Sequence, residues 1–158
     1  MDNLESVFAR NCTVSRIDKP AAAGFLNKYH RLGDTTCRYR YGLFVKRSTG
    51  EAESSLPEGT LVAVATFSNA RRWQKGDKVI RSYEWVRYSS IDGLRVTGGM
   101  GKLLNAFVEE VKPDDIMSYA DASSEDGGDV YRQLGFELEC TVERETFTNL
   151  KFRKKFTY

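Results

Sequence analysis

The stretch Val96-Thr97-Gly98-Gly99-Met100-Gly101-Lys102-Leu103-Leu104 decides the fold. Its glycines run directly into an apolar repeat. Met100, Leu103, Leu104, Phe107, Val108 and Val111 recur at helical spacing, and Pro113 ends the pattern. A strand, a glycine-rich turn and a helix N-terminus in that order make an anion site. The first helical N–H groups point outward, the helix dipole adds roughly half a positive charge, and missing side chains let an anion approach the backbone. A tight turn without a ligand is the alternative reading. The pattern is not a P-loop, because Leu103 follows Lys102 where Ser or Thr would stand, and it is not Gly-x-Gly-x-x-Gly.

Upstream of this turn the periodicity is that of strands. Arg38–Lys46 alternates, with Tyr39, Tyr41, Leu43 and Val45 on one face. Leu61–Ser68 is apolar on both faces, as a central strand would be. Ser48–Gly59 reads as a hairpin loop, and Val79–Ser89 is a third strand after a polar basic loop holding Arg71, Arg72, Lys75 and Lys78. A first strand is expected over Cys12–Ile17. A helix is expected over Ala21–Tyr29, capped by Asp18, opened by Pro20 and stopped by Gly33. Downstream, Ile116–Asp121 is strand-like and Gly127–Leu134 fits a short helix closed by Gly135. Phe136–Val142 and Thr146–Phe156 read as the last two strands. Antiparallel strands followed by a βαβ crossover describe an α/β (α+β) fold, one mixed sheet flanked by helices, in a single domain over residues 1–158.

Composition narrows the function classes. The 158 residues are 41% hydrophobic and 12% aromatic, which supports a folded core. The formal net charge of +2 is too mild to mark a dedicated nucleic-acid or membrane-surface protein. No apolar run approaches the ~20 residues of a membrane span, and Met1-Asp2-Asn3-Leu4-Glu5 does not read as a signal peptide. Cys12, Cys37 and Cys140 are odd in number and lack Cys-x-x-Cys spacing, so reduced thiols in a cytoplasmic protein are expected, with no structural zinc. A lone histidine, His30, removes two-imidazole zinc chemistry.

Two segments together carry a resemblance. The glycine stretch is followed about thirty residues later by Val130-Tyr131-Arg132-Gln133-Leu134-Gly135-Phe136. The pair resembles the GNAT superfamily of acyl-CoA N-acyltransferases over roughly residues 12 to 156. The first segment is similar to that family's pyrophosphate motif, Gln/Arg-x-x-Gly-x-Gly/Ala, and the second to its Tyr-x-x-x-Gly-Phe ending. The resemblance implies acyl transfer from acetyl-CoA or another acyl-CoA to an amine on a small molecule or a protein. Gly98, Gly99, Met100, Gly101 and Lys102 would supply amides to the pyrophosphate. Tyr131 would protonate the departing thiolate, for which a phenol within hydrogen-bond reach is suited. Glu84, in Ser82-Tyr83-Glu84-Trp85-Val86-Arg87, lies on the strand where many members place a general base. A carboxylate among aromatics would have a raised pKa, and an ion pair with Arg81 or Arg87 is the alternative. Val96 stands where the motif has Gln or Arg, so a GNAT-shaped binding module without catalysis is a further reading.

A narrower resemblance runs through Tyr29-His30, Cys37-Arg38-Tyr39-Arg40-Tyr41-Gly42-Leu43, Ser118-Tyr119-Ala120-Asp121 and Tyr131. It is similar to the phage Mom family of DNA-modification proteins, divergent members of the same superfamily that alter adenine. It would assign function to His30, Asp121 and Tyr131, around iron in that reading alone, since a His, a carboxylate and a phenolate form a reasonable hard-metal site. The alternatives are local: a helix-end cap for His30 and a turn cap for Asp121. Basic residues form three groups, around Arg38/Arg40/Lys46/Arg47, Arg71/Arg72/Lys75/Lys78 and Lys151/Arg153/Lys154/Lys155. Trp73 beside Arg71 and Arg72 could stack on a base. Solvated loops and a charged edge strand are the favoured reading of these groups. Edge strands would also allow a homodimer.

Overall fold

A computed structural model describes residues 5–46, 56–124 and 127–158. Arg47 of the first basic group, and residues 48–55 of the expected hairpin loop, lie outside the described residues. The chain divides into two compact units, Met1–Ser68 with Val86–Val111, and Asn69–Trp85 with Lys112–Tyr158.

The first unit holds an antiparallel array of β2 (Cys12–Arg16), β3 (Tyr39–Val45) and β4 (Leu61–Phe67). α1 (Lys19–Tyr29) begins where Asp18 Oδ1 accepts from the Ala21 N–H at 2.9 Å, the cap the sequence predicts, with Pro20 in the first turn. Its Ala22, Phe25 and Leu26 pack with Val64 of β4. α2 (Gly99–Val111) follows the periodic apolar pattern and buries Leu103, Leu104 and Phe107. The Phe107 ring stacks on Phe67 at 4.0 Å and meets Tyr39 edge-on at 5.4 Å. Strand alternation puts Val64 and Phe67 on opposite faces, so one helix covers each face. A parallel pair, β1 (Glu5–Phe8) with β7 (Leu94–Thr97), completes the unit. Val96 and Thr97 therefore belong to a strand, and the glycine turn begins only at Gly98.

The second unit is a mixed sheet. The amino-terminal part of β6 (Lys78–Ser90) pairs in parallel with β8 (Asp115–Asp121), with Ser82 opposite Asp115 and Glu84 opposite Met117. β10 (Thr148–Lys155) runs antiparallel between β8 and β9 (Glu137–Glu143). The basic segment read as a loop is strand β5 (Arg71–Lys75), exposed throughout and hairpin-paired with β6 from Lys75–Lys78 to Arg71–Ser82. Polar side chains on both of its faces hide the alternation that marks a strand; the ladder hydrogen bonds and Gly76, at φ 62°, make it one. The short helix α3 (Asp129–Gln133) sits between Gly128 and Gly135, both at positive φ. Gly128 is required twice over. Its φ is 84°, and a Cβ there would come within 2.5 Å of the Phe152 ring.

Candidate functional site

The sequence-predicted residues fall into both units: Gly98–Lys102 and His30 in the first, Glu84, Asp121 and Tyr131 in the second.

In the first unit, β7 delivers the chain to Gly98, whose φ of 78° turns it into α2. The first intrahelical bond runs from the Lys102 N–H to the Gly98 carbonyl at 3.1 Å. The N–H groups of Gly99, Met100 and Gly101 thus precede it and have no acceptor inside the helix. That is the donor set an anion needs. Gly99 is buried, and a Cβ there would lie 2.7 Å from Val96 Cγ1, so Val96 and Gly99 are matched in size. Lys102 already has partners at both its backbone and its side chain. Its backbone N–H makes the first bond of the helix, and its ammonium donates to the Ala9 carbonyl at 2.8 Å and the Cys12 carbonyl at 2.7 Å, latching α2 to the start of β2 and the residues just before it. The residues present fit a pyrophosphate through backbone groups alone.

His30 ends α1. Its N–H donates to the Leu26 carbonyl at 2.8 Å, and its Nδ1 accepts from the Leu32 N–H at 2.9 Å. Burial, then the Arg87 and Arg31 guanidiniums, lowers its pKa and holds the ring neutral, as an accepting Nδ1 requires. The same unit carries a polar cluster that the sequence reading did not single out. Tyr41 donates to Glu110 at 2.5 Å, and Arg16 donates to the same carboxylate oxygen at 2.7 Å. Burial and the Glu110 contact raise the Tyr41 pKa.

In the second unit, Tyr131 is half-buried and its ring is fixed on three sides. Trp85 meets it edge-on at 6.0 Å, Phe136 at 5.6 Å, and Phe152 stacks at 5.5 Å. Its carbonyl accepts from the Phe136 N–H at 2.9 Å, which ties the end of α3 to the next strand. Phe136 is in the quoted motif, but Phe152 enters from a strand sixteen residues on, with no local signal. Asp121, at the carboxyl end of β8, caps its own turn: Oδ1 accepts from the Ser123 N–H at 2.9 Å and the Ser123 hydroxyl at 2.7 Å. Glu84 is half-buried and shares a strand face with Ser82, the face of Asp115 and Met117, whereas the Trp85 ring packs with Tyr131. Among the described residues no three His, Cys, Asp or Glu side chains are grouped to hold a metal ion. No helix among them is long and apolar enough to cross a membrane.

No protein-family model and no curated protein matches the chain. Solved structures do. Arabidopsis thaliana NAA60 in complex with acetyl-CoA aligns at a TM-score of 0.67 and 12% identity over 91% of this chain and 98% of its own. Arabidopsis thaliana Naa50, in complex with the bisubstrate analogue CoA-Ac-MVNAL, aligns at 0.63 and 14% over 92% and 99%. A GNAT family acetyltransferase from Elizabethkingia anophelis with acetyl-CoA bound aligns at 0.61 and 10% over 92% and 99%. The likeness spans nearly the whole of both chains in each case, so this chain has the GNAT acetyltransferase fold.

Proposed function

We propose that the chain is an acyl-CoA-dependent N-acyltransferase, one GNAT-like domain that moves an acyl group to an amine. The observation that carries this reading is the strand, left-handed Gly98 and helix N-terminus of the first unit, with the N–H groups of Gly99, Met100 and Gly101 preceding the first helical bond. Those three donors would hold the pyrophosphate, supported by the helix dipole. Gly99 keeps the backbone accessible, because no side chain fits between Val96 and the turn. Lys102 holds α2 in place through the Ala9 and Cys12 carbonyls and so positions the turn. An acyl-CoA, when bound, supplies the thioester.

Tyr131 is the proton donor in this reading. The cage of Trp85, Phe136 and Phe152 limits ring motion, so the phenol is presented in one orientation at little entropic cost. Glu84 is the candidate base for an ammonium acceptor. The peptide-bearing bisubstrate analogue on Naa50 supports a peptide or small amine as acceptor. His30 and Asp121 each accept hydrogen bonds from the turn that follows them, which favours structural roles for both over a nucleobase-modifying site.

Titration calorimetry with acetyl-CoA tests the reading. Saturable binding in the wild type, lost in a folded Gly99→Glu variant, is the expected result. Absence of heat from the folded wild type would overturn the acyl-CoA reading and leave a GNAT-shaped binding module.

A further inference from the structure

The second unit contains a cavity of about 570 Å³ lined by none of the residues given a role in acyl transfer. It opens beside the β5–β6 hairpin and lies at the amino end of β8, where Asp114 and Asp115 line it. Asp121 stands at the other end of that strand. The volume is within the range of small-molecule sites, roughly 300–1,000 Å³.

Its walls have three parts. Ile80, Met117 and Phe156 supply apolar surface. Trp73 supplies an indole that is 45% exposed yet anchored. Its Nε1 donates to Ser82 Oγ at 2.9 Å, and Ser82 donates on to Asp115 Oδ2 at 2.8 Å. Ser82 and Asp115 are both 4% exposed, so this anchor is buried. Arg153 completes it by donating to Asp115 and to Glu139, and Lys151 pairs with Glu139 at 3.0 Å. The ring is therefore held in one orientation before any ligand arrives, which removes an ordering cost from binding.

The third part is charge. The acidic groups of the wall are taken: Asp115 and Glu139 by Arg153, Asp114 by Arg81. Arg71, Lys75, Lys78 and Lys155 line the same cavity, and among the described residues none of the four makes an ion pair within 4.0 Å. Four cations around a fixed aromatic face and an apolar wall select a ligand with a planar ring and more than one negative charge. An aliphatic acid would leave the indole face wet, and an uncharged aromatic would leave the cations unused.

We propose that this cavity binds a nucleoside phosphate, its base stacked on Trp73 and its phosphates held by Arg71, Lys75, Lys78 and Lys155. Free nucleotide and the residue of a single strand share this chemistry. All of its lining residues belong to the second unit, and the glycine turn belongs to the first.

Tryptophan fluorescence reads the proposal directly, because Trp85 is buried at 3% exposure and quenching by a stacked base reports on Trp73. ATP is expected to quench saturably, and tripolyphosphate, which has charge but no ring, to bind at least about tenfold more weakly. In calorimetry, Trp73→Ala is expected to weaken ATP by about tenfold or more, the usual scale for loss of base stacking. Lys75→Glu/Lys78→Glu is expected to weaken it further and to flatten its salt dependence. Both variants change exposed residues, and both should keep the acetyl-CoA binding that Gly99→Glu removes, which distinguishes the glycine turn from any binding of the cofactor's own adenosine phosphate in the cavity. A short single-stranded oligonucleotide binding more tightly than ATP would make a strand the source, and the reverse would make it free nucleotide. No saturable binding of either, ATP affinity unchanged in Trp73→Ala, or tripolyphosphate equal to ATP would overturn the proposal.

Discussion

The glycine turn of the first unit and the tyrosine helix of the second are built by opposite means. At the turn the useful groups are backbone N–H donors, and side chains matter by their absence or by fixing the frame, as Gly99 does against Val96 and Lys102 does against Ala9 and Cys12. At the helix the useful group is a side chain, the Tyr131 phenol, and the backbone matters only in letting α3 approach Phe152 through Gly128. A backbone site tolerates changes to neighbouring side chains but not an added Cβ. A side-chain site tolerates loss of the reacting atom without loss of fold. Each half of that contrast can be broken by substitution.

The largest expected effect is on stability in the second unit. Gly128→Ala adds a Cβ within 2.5 Å of the Phe152 ring at a φ of 84°, and should cost about 3 kcal/mol. Thermal denaturation would show this as a midpoint lower by roughly 10 °C; an unchanged midpoint would mean that α3 is not packed as described. Tyr131→Phe comes next and tests the opposite property. The three-sided aromatic cage remains, so the melting midpoint should hold, while acyl transfer falls about 100-fold. A transfer rate equal to wild type would remove Tyr131 as proton donor.

Lys102→Met separates a latch from a ligand. Two buried-end carbonyl contacts are lost, so stability should drop by about 2 kcal/mol in denaturant unfolding, with acetyl-CoA affinity changed by less than about threefold. A collapse of affinity at unchanged stability would return Lys102 to direct contact with the pyrophosphate. The smallest effect is in the ion-pair network of the second unit. The Arg153 and Lys151 contacts hold the Glu139 carboxyl down to about 2, from an ordinary 4.5. A depressed carboxylate contributes stability above its unfolded value and loses it as pH falls through the folded one. Stability should therefore decline between pH 4.5 and 2, and Glu139→Gln should flatten that part of the pH profile slightly, because Glu139 is partly exposed and solvent screens the pair. Profiles that superimpose would show the network to be energetically silent.

The sequence by itself determined what is local. The apolar spacing of Met100 to Val111 specified α2, the two-faced apolar run at Leu61–Phe67 specified a central strand, and Asp18 with Pro20 specified where α1 starts. Each is a pattern within a few residues, which propensity and periodicity report. The glycines at 98 and 99 were equally legible, because only backbone geometry explains their placement. Tertiary structure decided everything that depends on a distant partner. β5 has no alternation to read and exists because its backbone pairs with β6. The contacts of the Lys102 ammonium with carbonyls some ninety residues earlier have no signal near Lys102 in the sequence. The Tyr131 cage takes one wall from β6 and another from β10, and the Trp73 anchor runs through Ser82 and Asp115 to Arg153. Hydrogen bonds and ring contacts are made in space, and a sequence records only the residues able to make them.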